Sequence, residues 1–212
     1  MKRNQQSLID DLTADLKPVR ALRPVRLAAS LWALAWLSAI VFTLLTGPLR
    51  PGVAGQLTGS PQFAIESFVG LLAGGLFALA AAMLAVPGRH GTRWFGIAAV
   101  ALAAWVGAYV IGLYAPALEP SMLGKRGACY LEVFVFAVPT LAWGRWALRR
   151  GYVLDGWLTG AALGTVAGAA PALLMQLACM YETHHILIYH LGPVVLTALV
   201  GAWLGHASAS RR

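Results

Sequence analysis

The sequence predicts an all-α integral membrane protein: a bundle of six transmembrane helices, both termini cytoplasmic, with a short cytoplasmic helix ahead of the first span. Three observations predict it. Hydrophobic residues make up 59% of the 212 and charged ones 11%, with a mean hydropathy of +0.70, whereas a soluble domain has about a quarter of its residues charged. Six stretches reach or approach the roughly 20 apolar residues that a helix needs to cross a bilayer. Each is a continuous run rich in Ala, Leu and Gly, without the alternation of a membrane barrel strand.

Residues 1–26 form a cytoplasmic segment. Within it, Leu8, Ile9, Leu12 and Leu16 follow helical spacing over Ser7 to Leu16, while Asp10, Asp11 and Asp15 face largely the other way. Ser7 is an N-cap candidate, and the aspartates suit the positive end of the helix dipole. Pro18 and Pro24 then break the helix into a basic connector. A helix of about ten residues is marginal alone in water, so this one needs a partner. Interfacial membrane helices carry Lys and Arg on their polar face; aspartates there favour a groove on a cytoplasmic protein over the lipid surface.

The spans follow in order as Leu27 to Thr46, Ala64 to Val86, Trp94 to Tyr114, Cys129 to Leu148, Trp157 to Cys179 and Ile186 to Leu204. The first is longer than a signal-peptide core and no clear A-x-A site follows it, so it is expected to be retained. Pro139 and Pro171 remove one backbone donor each and are expected to bend spans four and five. Gly156, Gly160, Gly164 and Gly168 recur every fourth residue in span five, a stripe for close packing of a neighbouring helix or, alternatively, of a second copy in a homo-oligomer. The membrane domain covers residues 27–206 and a cytoplasmic tail 207–212, with no second domain and no internal repeat.

Cations set the orientation. Of 16 Lys and Arg residues, only Arg50, Lys125 and Arg126 fall outside when the N-terminus is cytoplasmic. The net charge of +8 is thereby explained by topology and implies no direct nucleic-acid partner.

This topology brings the chemistry-bearing residues to the outer surface. Cys129 opens span four there, Cys179 closes span five, and His184, His185 and His190 follow at the start of span six, with Glu132 one turn after Cys129. Thiolate and imidazole suit copper, zinc and cadmium; the thiols could equally oxidise to a disulfide. Structural readings stand beside these: buried cysteines are often inert and interfacial histidines often bond loop carbonyls. On one straight helix, His185 and His190 would point about 140° apart, so the imidazoles could not all meet one ion. The pattern is not H-E-x-x-H, there is no C-x-x-C, and no facing histidines hold a haem. No constitutive cofactor is expected. Glu66 is a second intramembrane carboxylate, which is seldom idle; His90 and His206 are expected to be solvated.

The run L-I-D-D-L-T-A-D-L-K-P-V-R-A-L-R-P from Leu8 to Pro24, the six spans, Cys129, Cys179 followed by His184, His185 and Tyr189-His190, and the ending Gly201-Ala202-Trp203-Leu204-Gly205 resemble the NrsF family over nearly the whole chain. The resemblance implies a six-helix anti-sigma factor of the bacterial inner membrane, not an enzyme, restraining a sigma factor of the extracytoplasmic-function class. It places sigma contact on Leu8, Ile9, Leu12 and Leu16, and response to heavy-metal stress on periplasm-facing Cys129 and Cys179. Any part for the histidines is an inference from ligand chemistry. Where the family often carries a longer basic or aromatic tail, this chain runs into Ala207-Ser208-Ala209-Ser210, and no role is assigned to it. The expected mechanism is two-state: ligation or oxidation outside repacks spans four to six, along the glycine face of span five, and loosens the N-terminal helix inside. The alternative, a small metal transporter or channel loading through the same ligands, requires polar residues continuing through the bilayer.

Overall fold

Small residues decide the architecture. The computed structural model of the protein describes residues 3–14, 23–149 and 153–209. The described residues form α1 (Arg3–Ala14), α2 (Pro24–Thr46), α3 (Val53–Gly59), α4 (Pro61–Leu84), α5 (Gly91–Gly112), α6 (Cys129–Leu148), α7 (Gly156–Ala178), α8 (Thr183–His185), a π-helical stretch (Ile186–Leu191) and α9 (Gly192–Ala209). Six are long and apolar enough to cross a membrane, the last running continuously over Thr183–Ser208. α7, built mainly of Gly and Ala, is buried along nearly its whole length and packs against α2, α4, α6 and α9, while α5 leans on α4 from outside.

The α7–α9 contact is backbone against backbone. A Cβ at Gly160 would lie 2.1 Å from the carbonyl oxygen of Gly201, one at Gly164 2.0 Å from that of Thr197, and one at Gly205 2.1 Å from that of Gly156. No side chain fits at these positions, and close van der Waals approach holds helices together where lipid supplies no hydrophobic drive. The stripe of Gly156, Gly160, Gly164 and Gly168 is thus buried within the chain against α9, which removes it as a face for a second copy. Glycines also seat the large aromatics: Gly70 of α4 faces the Trp105 indole and Gly74 the Trp32 ring.

Ends of elements depart from expectation for local reasons. α2 starts at Pro24, where a proline at the first helical position costs no hydrogen bond. α1 starts at Arg3, so Ser7 lies within the helix and is not its cap. Leu8 and Ile9 are exposed, 57% and 51%; Leu12 belongs to the same helix, and Leu16 lies outside the described residues. α6 and α7 run on through Pro139 and Pro171. His90 and His206 are exposed as expected, the second stacked on Trp157 at 4.7 Å.

Candidate thiol and imidazole site

Four side chains converge at one end of the bundle. Cys129 is the first residue of α6, Cys179 follows the last turn of α7, His185 ends α8, and His190 lies within the π-helical stretch. Their ligand atoms all lie within 4.8 Å of one another. The two sulfurs are 2.9 Å apart as free thiols, and Cys179 Sγ lies 3.5 Å from His185 Nε2. Cys129, Cys179 and His190 are buried; His185, stacked on Tyr189 at 4.7 Å, is half-buried and forms the solvent-facing side of the group.

The π-helical stretch explains how two imidazoles five residues apart come together. Its hydrogen bonds span five residues, as from the Gly192 N–H to the Leu187 carbonyl, so positions i and i+5 stack one turn apart. The rings of His185 and His190 meet edge to face at 5.2 Å. The straight-helix expectation of about 140° between them fails for this reason. Pro193 supplies a local cause: it has no N–H, and its ring crowds the carbonyl of Tyr189, so the regular four-residue bond is missing at this turn. A proline three residues after His190 was the available signal in the sequence.

Two expected residues stay outside the group. His184 is exposed; its backbone N–H donates to Glu182 Oε1 at 2.9 Å, and that of His185 to Glu182 Oε2, so Glu182 caps the helix and fixes where His185 starts. Glu132 instead pairs with Arg126 at 3.3 Å. Arg126 also donates to Thr46 Oγ1 and to the carbonyls of Gly47 and Pro48, tying the end of α2 to the start of α6 beside Cys129.

Residues that sequence reasoning treated only as topology markers, or passed over, support the thiols. Arg50 is 2% exposed. Its N–H donates to the Leu177 carbonyl, and its guanidinium to those of Cys179 at 2.7 Å and Gln176 at 3.4 Å. These donors satisfy carbonyls that the end of α7 leaves open, and hold Cys179 in place. Gln56 of α3 accepts the guanidinium's other side at 2.7 and 3.1 Å, and the rings of Phe63 and Tyr181 lie within 6 Å. Burial draws the Arg50 pKa below its ordinary value, with Cys179 and Tyr181 opposing.

Tyr181 connects this clamp to Glu66. Burial pushes its phenol up to about 12, which keeps the hydroxyl a donor: it reaches Glu66 Oε2 at 3.2 Å and accepts from the Ala117 N–H at 3.1 Å. Glu66 is fully buried, and its other oxygen has no hydrogen-bond partner among the described residues.

His190 has the most telling environment. It is 1% exposed, and neither ring nitrogen has a partner in good hydrogen-bond geometry among the described residues, with the Cys179 sulfur within 4.8 Å as a weak one. An imidazole so placed costs about 1–3 kcal/mol per unmet group. Two thiols and two imidazoles form the donor set of a four-coordinate zinc site and also suit copper or cadmium. The residues therefore fit a soft metal ion.

A family model described as negative regulator of sigma F matches residues 12–209. The Anti-sigma-F factor NrsF of Caulobacter vibrioides is 31% identical over 208 residues, which covers 93% of this chain and 95% of that protein. No solved structure matches.

Proposed function

The chain belongs to the NrsF family of negative regulators of sigma F, and on that premise we propose that it is an anti-sigma factor whose cytoplasmic residues 1–26 hold a sigma factor of the extracytoplasmic-function class. Release follows when a soft metal ion or an oxidant engages Cys129, Cys179, His185 and His190 on the periplasmic side of the inner membrane. The ion is the signal and not a resident cofactor. The observation that carries the sensing half is the four-donor group with its buried imidazole lacking well-placed hydrogen-bond partners. The sigma half rests on the family and on α1, whose Leu8 and Ile9 are exposed on the helix.

Binding at this group would join the outer ends of α6, α7 and the last span more strongly than the weak thiol contacts that link them without it. Swinging sigma occupancy from 1:99 to 99:1 needs about 5.5 kcal/mol of preference for one state. Structural zinc sites in small peptides supply about 10–16 kcal/mol, so a partial site suffices. Oxidation would act on the same pair: the sulfurs bond, and two protons and two electrons leave to the oxidant. Arg50 and Tyr181 give either event a route inward, since movement of Cys179 pulls on α3, Phe63 and Glu66. Against transport, the buried charged side chains among the described residues are Arg50 and Glu66, both at the thiol end.

The test is a reporter under the cognate sigma factor's promoter. Wild type releases transcription on cadmium, copper or zinc, and Cys129→Ser with Cys179→Ser keeps repression but no longer responds. A double variant that still answers the metal would move sensing elsewhere; metal uptake into proteoliposomes would favour the transporter.

A further inference from the structure

Four buried polar side chains between α4, α5 and α7 carry hydrogen-bonding groups that the thiol site does not use. Glu66 and Tyr109 are 0% exposed, Trp105 and Gln176 1%. Among the described residues, Glu66 Oε1, Tyr109 Oη, Trp105 Nε1 and Gln176 Oε1 have no partner in good hydrogen-bond geometry. They share one neighbourhood. The Tyr109 hydroxyl lies near the Trp105 indole and the Gln176 amide, and Glu66 is close enough to act on it electrostatically. The other half of the amide and of the carboxyl is held: Gln176 Nε2 donates to Ser67 Oγ at 3.2 Å, and Glu66 Oε2 accepts from the Tyr181 hydroxyl at 3.2 Å. Gly112 leaves room at one edge. A Cβ there would lie 3.8 Å from Glu66 Oε1 and 3.2 Å from Thr183 Cγ2, so a space the size of a methyl group opens beside the unmet oxygen.

We propose that this cluster is a binding site for ordered water. Its free groups are two donors, the indole N–H and the phenol O–H, and two acceptors, the amide and carboxyl oxygens. They complement the lone pairs and hydrogens of water, which is held where a buried site offers it two to four polar partners. A metal cation is excluded by the same count, because the indole N–H has no lone pair to give it. Within the bilayer such groups have no bulk solvent to turn to, so water enclosed with them removes the penalty of leaving them unpaired. Bridging water ties α5, through Trp105 and Tyr109, to Gln176 of α7 and Glu66 of α4. The site is independent of the sigma and metal readings.

Hydroxyl-radical labelling by X-ray radiolysis of the full-length protein in detergent, read by mass spectrometry, tests it, because radicals made from enclosed water modify side chains that bulk water does not reach. After correction for intrinsic reactivity, Trp105 and Tyr109 should be labelled about tenfold faster than Phe77, which is 3% exposed and lies in an apolar cluster. Glu66→Leu with Gln176→Leu removes both acceptors and should bring the two aromatics down to the Phe77 rate. Glu66→Gln keeps an acceptor oxygen and should leave them fast. Wild-type labelling of Trp105 and Tyr109 no faster than that of Phe77 overturns the proposal, since the four groups then pair directly with one another. Undiminished labelling in the double-leucine variant, or a fall to the Phe77 rate in Glu66→Gln, overturns it as well. Circular dichroism confirms that each variant is folded, and if the double variant is not, Gln176→Leu alone decides by the same comparison.

Discussion

Replacing His190 with leucine should stabilise the metal-free protein while abolishing its response to metal. The ring is 1% exposed and neither nitrogen has a partner in good hydrogen-bond geometry among the described residues. Removing two unmet polar groups, at about 1–3 kcal/mol each, recovers about 2–6 kcal/mol, and losing the edge contact with His185 costs up to about 1 kcal/mol. The net gain is at least about 1 kcal/mol, or at least roughly 2 °C in Tm for a chain of this size. Wild type should gain about 2.7 kcal/mol from cadmium at a hundred times its Kd, by mass action on the folded state. The assay is thermal unfolding in detergent with a chelator and then with cadmium, comparing wild type and His190→Leu. A lower Tm for the metal-free variant would make His190 a structural residue. An undiminished cadmium shift in the variant would remove it from the ligands. Either result refutes the reasoning.

Arg50→Met should destabilise the protein by about 3 kcal/mol, because charge-assisted bonds to buried carbonyls are worth about 1.5–3 kcal/mol and the carbonyls of Gln176 and Cys179 stay behind; chemical denaturation reads this, and Arg50→Lys should not restore it, lacking the fork that meets Gln56. Gly164→Leu should cost at least about 3 kcal/mol, since even its Cβ would sit 2.0 Å from the Thr197 carbonyl oxygen; loss of folded protein by size-exclusion profile checks it against Gly96→Leu, whose Cβ position is open. Leu8→Asp should leave Tm unchanged, being 57% exposed, yet abolish co-purification with the sigma factor.

The spans were legible because length and apolarity are summed properties that no single contact can override. The residues of the thiol site were legible as a set, since topology alone puts Cys129 and Cys179 at one depth. Its geometry was not. Regular helical spacing separates His185 from His190, and only a widened turn ahead of Pro193 reunites them. His184 and Glu132 were included by proximity, but proximity along the chain does not settle direction: Glu132 turns to Arg126, and His184 to the exterior. Arg50 was hidden for the opposite reason. A lone arginine in an outer loop reads as a topology marker, and its burial depends on α3 folding back so that Gln56 meets it, a tertiary event without periodicity.

The glycine-to-carbonyl meshing of α7 with α9 has a mechanical consequence. Side-chain layers between helices act as cushions, since rotamers can change and absorb a displacement. Here the cushion is missing along one stretch, where Gly156, Gly160 and Gly164 of α7 meet Gly205, Gly201 and Thr197 of α9 main chain to main chain. Along those eight residues, about 12 Å of helix, a displacement of α7 would have to carry α9 with it.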